Sequence, residues 1–208
     1  MNELLLIAFE CLTVILPFLT IFVILNCIYK RKKILQTKIR FLMLSIFAVY
    51  IFAVFYVTGV GTIFDLLRYG IDIKADQINL LPFSQDIDVV AYLLNVLLFL
   101  LFGILLPFIW PNMNGLKCTV YSGISISLLI EISQLLNNRR TDIDDLLLNT
   151  LGSLIGYLLF MMFAHSTKRT IQPVNYFKYE PAIYILAMFI GHFLMFNEFG
   201  LAKILYDF

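Results

Sequence analysis

Apolar residues in this chain come in blocks separated by short polar stretches. Six blocks, at about 4–28, 41–60, 91–110, 119–136, 146–164 and 181–197, consist mostly of Leu, Ile, Phe and Val. A helix rises about 1.5 Å per residue, so about 20 residues cross the ~30 Å hydrocarbon core of a bilayer. The pattern predicts an all-α, polytopic membrane helix bundle of about six transmembrane helices. The fourth and sixth blocks are the shortest, and the sixth could lie partly in the interface. The connection 61–90 is the longest. Ile63, Phe64, Leu66, Leu67 and Ile71 make part of it apolar enough for the interface. Asn79-Leu-Leu-Pro82-Phe83 reads as a turn before re-entry, because a proline disfavours helix in the residue before it. No internal repeat or low-complexity linker is visible, so residues 1–208 are read as a single membrane domain.

Composition agrees with this reading. The 208 residues are 61% hydrophobic and 14% charged, with a mean hydropathy of +0.91. Soluble domains are about a quarter charged. A net charge of +1 gives no basis for a nucleic-acid partner. Cys11, Cys27 and Cys118 are odd in number and form no CxxC pair, so neither disulfides nor metal ligands are expected. Glu3 and Glu10 replace the basic leader region of a cleavable signal, and none is expected.

The basic residues set the orientation. Lys30, Arg31, Lys32, Lys33, Lys38 and Arg40 fill residues 29–40 without an acid, which places this loop in the cytoplasm. Alternation puts Lys117, Lys168, Arg169 and Lys178 inside as well, and only Arg68, Lys74, Arg139, Arg140 and Lys203 outside. Both termini are then outside.

Within this frame the polar groups of the spans share one depth. Glu10, Asn95, Glu131, Gln134, Asn149 and His192 all fall within roughly 10 Å of the outer interface. The inner halves of the spans carry no charge. A carboxylate in a span costs roughly 3 kcal/mol on insertion scales and is usually kept for a function. The expectation is an outward-facing polar cavity. Asp142, Asp145, Asn149, Gly152 and Gly156 recur at helical spacing and form one stripe, acidic or amide above and glycine below. Ser127, Glu131, Gln134 and Asn138 share a second face; Asn95, Phe99 and Gly103 share a third. Gly103, Gly152 and Gly156 are read as packing positions that let helices approach closely. Asp142 suits a helix N-cap, and Asp144 points away from the stripe as a capping or solvent-facing acid. A structural network of Glu131, Arg139 and Asp145 is the plainer alternative to a binding site.

Asn79-Leu-Leu-Pro82-Phe83, Asn95-Val-Leu-Leu-Phe99, Glu131-x-x-Gln134 and Arg139-x-x-Asp142-Ile-Asp-Asp145-x-x-x-Asn149-x-x-Gly152-x-x-x-Gly156-Tyr157 together closely resemble the VanZ-like family of bacterial membrane proteins. The likeness covers about 78–160 and leaves the spans 4–28, 41–60 and 181–197 outside. One departure is Phe99-Leu-Leu-Phe102-Gly103, where the family often carries Phe-x-Pro-x-Gly. The resemblance implies a multi-pass protein of the bacterial cell membrane linked to low-level resistance to teicoplanin, a lipoglycopeptide acting at the outer face. Some relatives carry a phosphotransbutyrylase label, for which this chain has no Gly-rich phosphate loop.

The functional expectation is a cell-envelope protein whose outer cavity binds a lipid headgroup, a lipid-linked cell-wall precursor or the antibiotic. Asn79, Asn95, Glu131, Gln134, Arg139, Asp142, Asp145, Asn149, Glu10 and His192 are the candidate residues. Arg139 would take phosphate or carboxylate through paired hydrogen bonds, and Glu131, Asp142 and Asp145 would orient Arg139 or bind amines on the ligand. The alternatives are a membrane enzyme on a lipid-linked substrate and a lipid transporter. No resident cofactor is expected, although a divalent cation could sit at Glu131, Asp142 and Asp145, which offer the oxygen ligands such ions prefer.

Overall fold

A computed structural model describes residues 2–34, 37–70, 77–84, 88–137, 139–167 and 176–206. The protein is an all-α helical membrane protein. Among the described residues, five helices are long and apolar enough to cross a membrane, or six if a bent C-terminal pair counts as one span. By contacts the chain forms two compact units, Met1–Asp72 with Tyr179–Phe208, and Ile73–Lys178.

The first unit holds α1 (Asn2–Arg31), α2 (Lys38–Thr58), α3 (Ile63–Tyr69), α7 (Glu180–Met195) and α8 (Glu198–Tyr206). Helix α1 packs on α7 where Gly191 faces Pro17 and the Thr13 carbonyl; a side chain at Gly191 would collide with both. Helix α2 starts on Thr37, whose hydroxyl accepts from the Arg40 amide, and stops at Gly59 in the left-handed conformation. The apolar part of the 61–90 connection is the short helix α3, fixed by a capping box between Thr62 and Asp65. Ile71 lies outside the described residues. The sixth apolar block does not run straight through 197: α7 ends at Met195 and α8 departs at 46°.

The second unit is built from α4 (Val89–Ile109), α5 (Leu116–Gln134) and α6 (Ile143–Ser166). Two short strands, β1 (Ile78–Asn79) and β2 (Thr141–Asp142), pair in parallel with Asn79 opposite Asp142. Helices α4 and α6 run side by side in the same direction at backbone contact. A Cβ on Gly152 would strike the Val96 carbonyl and the Leu100 amide; one on Gly156 would strike the Leu100 carbonyl; one on Gly103 would strike the backbone of Ser153 and Tyr157. Three positions without side chains thus let two apolar helices mesh where no hydrophobic force between helices operates in lipid. Helix α5 runs antiparallel to α6, with Gly123 against the Ser153 side chain.

One expectation for the spans changes. Arg40 and Glu180, at the N-terminal ends of α2 and α7, are buried and form an ion pair of 2.7 Å. The Tyr29 hydroxyl at the end of α1 donates to the other Glu180 oxygen at 2.8 Å. The ends of these spans therefore enclose a charge pair. The block boundaries drawn from hydropathy leave both residues just outside, because hydropathy does not register neutralisation by a distant partner.

Candidate functional site

Helix direction brings four acids to one end of the second unit. The N-termini of α4 and α6 and the C-terminus of α5 meet there, together with the β1–β2 pair. Asp142 caps α6, one oxygen accepting from the Asp144 amide at 3.0 Å and the other from the Asn79 side chain at 3.1 Å. The Asn79 carbonyl oxygen in turn accepts from the Leu81 amide and the Ser84 hydroxyl, each at 3.1 Å. This holds the Asn79–Pro82–Phe83 turn against the start of α6.

Asp144 differs from its expected role. It is 1% exposed. Its carboxylate accepts from the Phe83 backbone amide at 2.9 Å and from the Tyr92 hydroxyl. Phe83 itself has a positive φ of 53°, uncommon for a bulky residue, and the bond to Asp144 fixes it there. Asp144 is the buried tie between turn, α4 and α6 rather than a solvent-facing acid.

Below this layer, the Asn95 amide donates to Asp145. Among the described residues Asp145 makes no ion pair, with Arg139 or with any other basic group. Arg139 and Arg140 are exposed. The Arg139 charge acts on Glu131 and Asp145 from there. Glu131 is 4% exposed and accepts from the Asp142 amide at 3.2 Å, while its own carbonyl accepts from the Thr141 hydroxyl at 3.0 Å.

The α5–α6 seam sets the next level. Gly123 faces Ser153, and Ser127 faces Asn149, whose side-chain amide donates to the Ser127 hydroxyl at 2.9 Å. A further helical turn along both helices puts Glu131 level with Asp145. Asn149 is 2% exposed, and its carbonyl oxygen has no hydrogen-bond partner among the described residues. Gln134 is buried on the last turn of α5, and its backbone carbonyl accepts from the Arg139 amide at 3.2 Å. Asn138 lies outside the described residues.

Thus Asn79, Asn95, Glu131, Asp142, Asp145 and Asn149 belong to one layered polar cluster, with Gln134 and Arg139 on the adjoining end of α5 and its loop. Glu10 and His192 belong to the other unit. Glu10 is 8% exposed in α1. His192 is buried between the rings of Phe55 and Phe196. Its Nε2 lies 3.3 Å from the Val60 carbonyl, an acceptor only, so Nε2 carries the proton.

Sequence reasoning missed Asp144 and Tyr92 as members of the cluster. Their partners lie 52 and 61 positions away, beyond any local pattern. The signal that existed was Tyr92 one turn before Asn95 on the same helix face. Among the described residues no group of three or more His, Cys, Asp or Glu is arranged to hold a metal ion. At Asp142 both oxygens already accept from protein donors.

A family model, VanZ/LLP1, matches residues 41–164, which is more than half of the chain. The match runs from α2 through α6 and so extends the 78–160 core expected from the motifs to include the second span. No curated protein and no solved structure matches the chain.

Proposed function

The chain belongs to the VanZ/LLP1 family, and from that premise we propose that it binds an envelope ligand through the acidic end of the α4–α6 unit. It would act in the bacterial cell membrane and contribute to resistance to teicoplanin-type lipoglycopeptides. The ligand would be a lipid headgroup, a lipid-linked cell-wall precursor or the antibiotic itself.

The observation that carries this reading is the set Glu131, Asp142, Asp144 and Asp145 at one end of three apolar helices. Their hydrogen bonds come from Asn79, Asn95, Tyr92 and the backbone amides of Phe83, Asp142 and Asp144, all neutral donors. In this they differ from Glu180, which pairs with the Arg40 guanidinium. Neutral donors orient a carboxylate without supplying a countercharge. Arg139, at the exposed edge, adds a guanidinium that suits a phosphate or carboxylate.

The test is a lipoglycopeptide susceptibility assay in cells producing Glu131→Gln, with membrane accumulation measured in parallel. The substitution keeps size and hydrogen bonding and removes the charge. Normal accumulation with lost protection is expected. Protection equal to the parent would remove Glu131 from the function.

A further inference from the structure

The donors at the centre of this cluster are already used, and three acceptor oxygens are left over among the described residues. Glu131 Oε2 is occupied by the Asp142 amide and Asp145 Oδ1 by Asn95. Among the described residues, Glu131 Oε1 and Asp145 Oδ2 make no hydrogen bond. One turn deeper, the Asn149 side chain uses its amide nitrogen on Ser127, which turns its carbonyl oxygen to the remaining role of acceptor. That oxygen is fully enclosed and has no partner among the described residues. A buried acceptor left unmatched is costly, and such atoms normally meet a donor.

The charge count points the same way. Glu131, Asp142, Asp144 and Asp145 are four carboxyl groups, and among the described residues none of them makes an ion pair. Arg139 and Arg140 supply two positive charges at the exposed rim. The interior of the cluster is left acceptor-rich and without a basic side chain among its hydrogen-bond partners.

We propose that this site recognises its ligand through a primary ammonium group, seated between Glu131, Asp145 and the Asn149 carbonyl oxygen. An ammonium has three donors and no acceptor, which matches three acceptors and no donor. A phosphate or free carboxylate would meet only like charge at that position. Arg139 at the rim and the acids beneath it would together suit an amphiphile that carries both an anionic group and an amine. The inference rests on the ligand-binding reading of the site, and it specifies which end of the ligand enters.

The experiment uses the full-length chain in detergent micelles and native mass spectrometry. The probes are short-chain phosphatidylethanolamine, its N-acetylated form, short-chain phosphatidylglycerol and ethylamine. The expected result is that phosphatidylethanolamine binds about tenfold or more tightly than the N-acetylated form, as for a charge-assisted contact. Asp145→Asn and Asn149→Leu should abolish that preference. Competition by millimolar ethylamine would assign the recognition to the amine itself; its failure, with the preference intact, would assign it to the amine as part of a lipid headgroup. Equal binding of the amine and N-acetyl forms, both weakened by Glu131→Gln, would overturn the ammonium inference and keep the binding site. Tighter binding of phosphatidylglycerol would overturn it as well. Binding of no probe, or binding indifferent to Glu131→Gln, would overturn both the inference and the reading beneath it. The comparison of the two phosphatidylethanolamine forms needs only the parent protein, so a variant that fails to fold does not weaken the test.

Discussion

Asp144 and Glu180 are both fully buried acids, yet they are held in different ways. Asp144 relies on a backbone amide and a phenol. Glu180 relies on the Arg40 guanidinium and the Tyr29 phenol. Removal of one hydrogen bond to a charged group costs roughly 1.5–3 kcal/mol. Tyr92→Phe is therefore expected to lower the detergent melting temperature by a few degrees, and Asp144→Ala to lower it further because the Phe83 amide loses its acceptor. Thermal unfolding followed by far-UV circular dichroism measures both; an unchanged midpoint for Asp144→Ala would show that the turn is held by other contacts. At the ion pair, Glu180→Gln removes the charge opposite buried Arg40, and breaking a buried pair typically costs about 3–5 kcal/mol. The double change Arg40→Met with Glu180→Met removes the charge altogether. It is expected to recover most of the lost midpoint, and no recovery would mean that the pair contributes more than mutual neutralisation. Neither partnership was legible in the sequence. Asp145, Asn149 and Glu131 stood out because they interrupt apolar runs. Asp144 shared its surroundings with two other acids and had no local feature to separate it from them, since its partners come from a different helix and turn.

Helix existence followed directly from the apolar blocks, because 20 apolar residues in lipid have no other way to satisfy their backbone groups. The glycine stripe was also readable, since Gly152 and Gly156 are one turn apart on the face that continues Asp145 and Asn149. What periodicity could not supply was the partner. The contact of Gly152 and Gly156 with the Val96–Gly103 stretch of α4 depends on α4 and α6 running in the same direction. The break between α7 and α8 was likewise hidden, because the apolar block runs smoothly into it. The close approach gives an element-level prediction. Gly152→Val and Gly156→Val each force a branched side chain into facing backbone, where nothing can rotate away. Overpacking of this kind costs about 1–3 kcal/mol, occasionally more. Both variants should unfold at lower SDS fraction than the parent, whereas Leu158→Ala, on an exposed position of the same helix, should change little. Equal sensitivity of all three would show that the α4–α6 contact does not limit stability.

At the scale of the whole molecule, the functional reading depends on which side of the membrane the acidic cluster faces. The six basic residues of 29–40 supply the argument that this loop is cytoplasmic. Alternation of spans then carries the β1 turn and the 135–142 loop to the outer side. The orientation is testable without any ligand. In a background with Cys11, Cys27 and Cys118 replaced, Lys33→Cys and Ser84→Cys each offer one thiol, the second on an exposed turn beside Asn79. A membrane-impermeant maleimide applied to intact cells is expected to label position 84 and to reach position 33 only after permeabilisation. The reverse pattern would put the carboxylates, with the open oxygens of Glu131 and Asp145, on the cytoplasmic side. A lipoglycopeptide could not reach them there. The site would then have to serve an inner-leaflet ligand, and the resistance reading would fail even if every contact within the cluster were correct. Labelling of position 84 in intact cells instead leaves the amine-accepting end of the site open to ligands arriving from outside. It also makes the susceptibility of the Glu131→Gln strain directly interpretable.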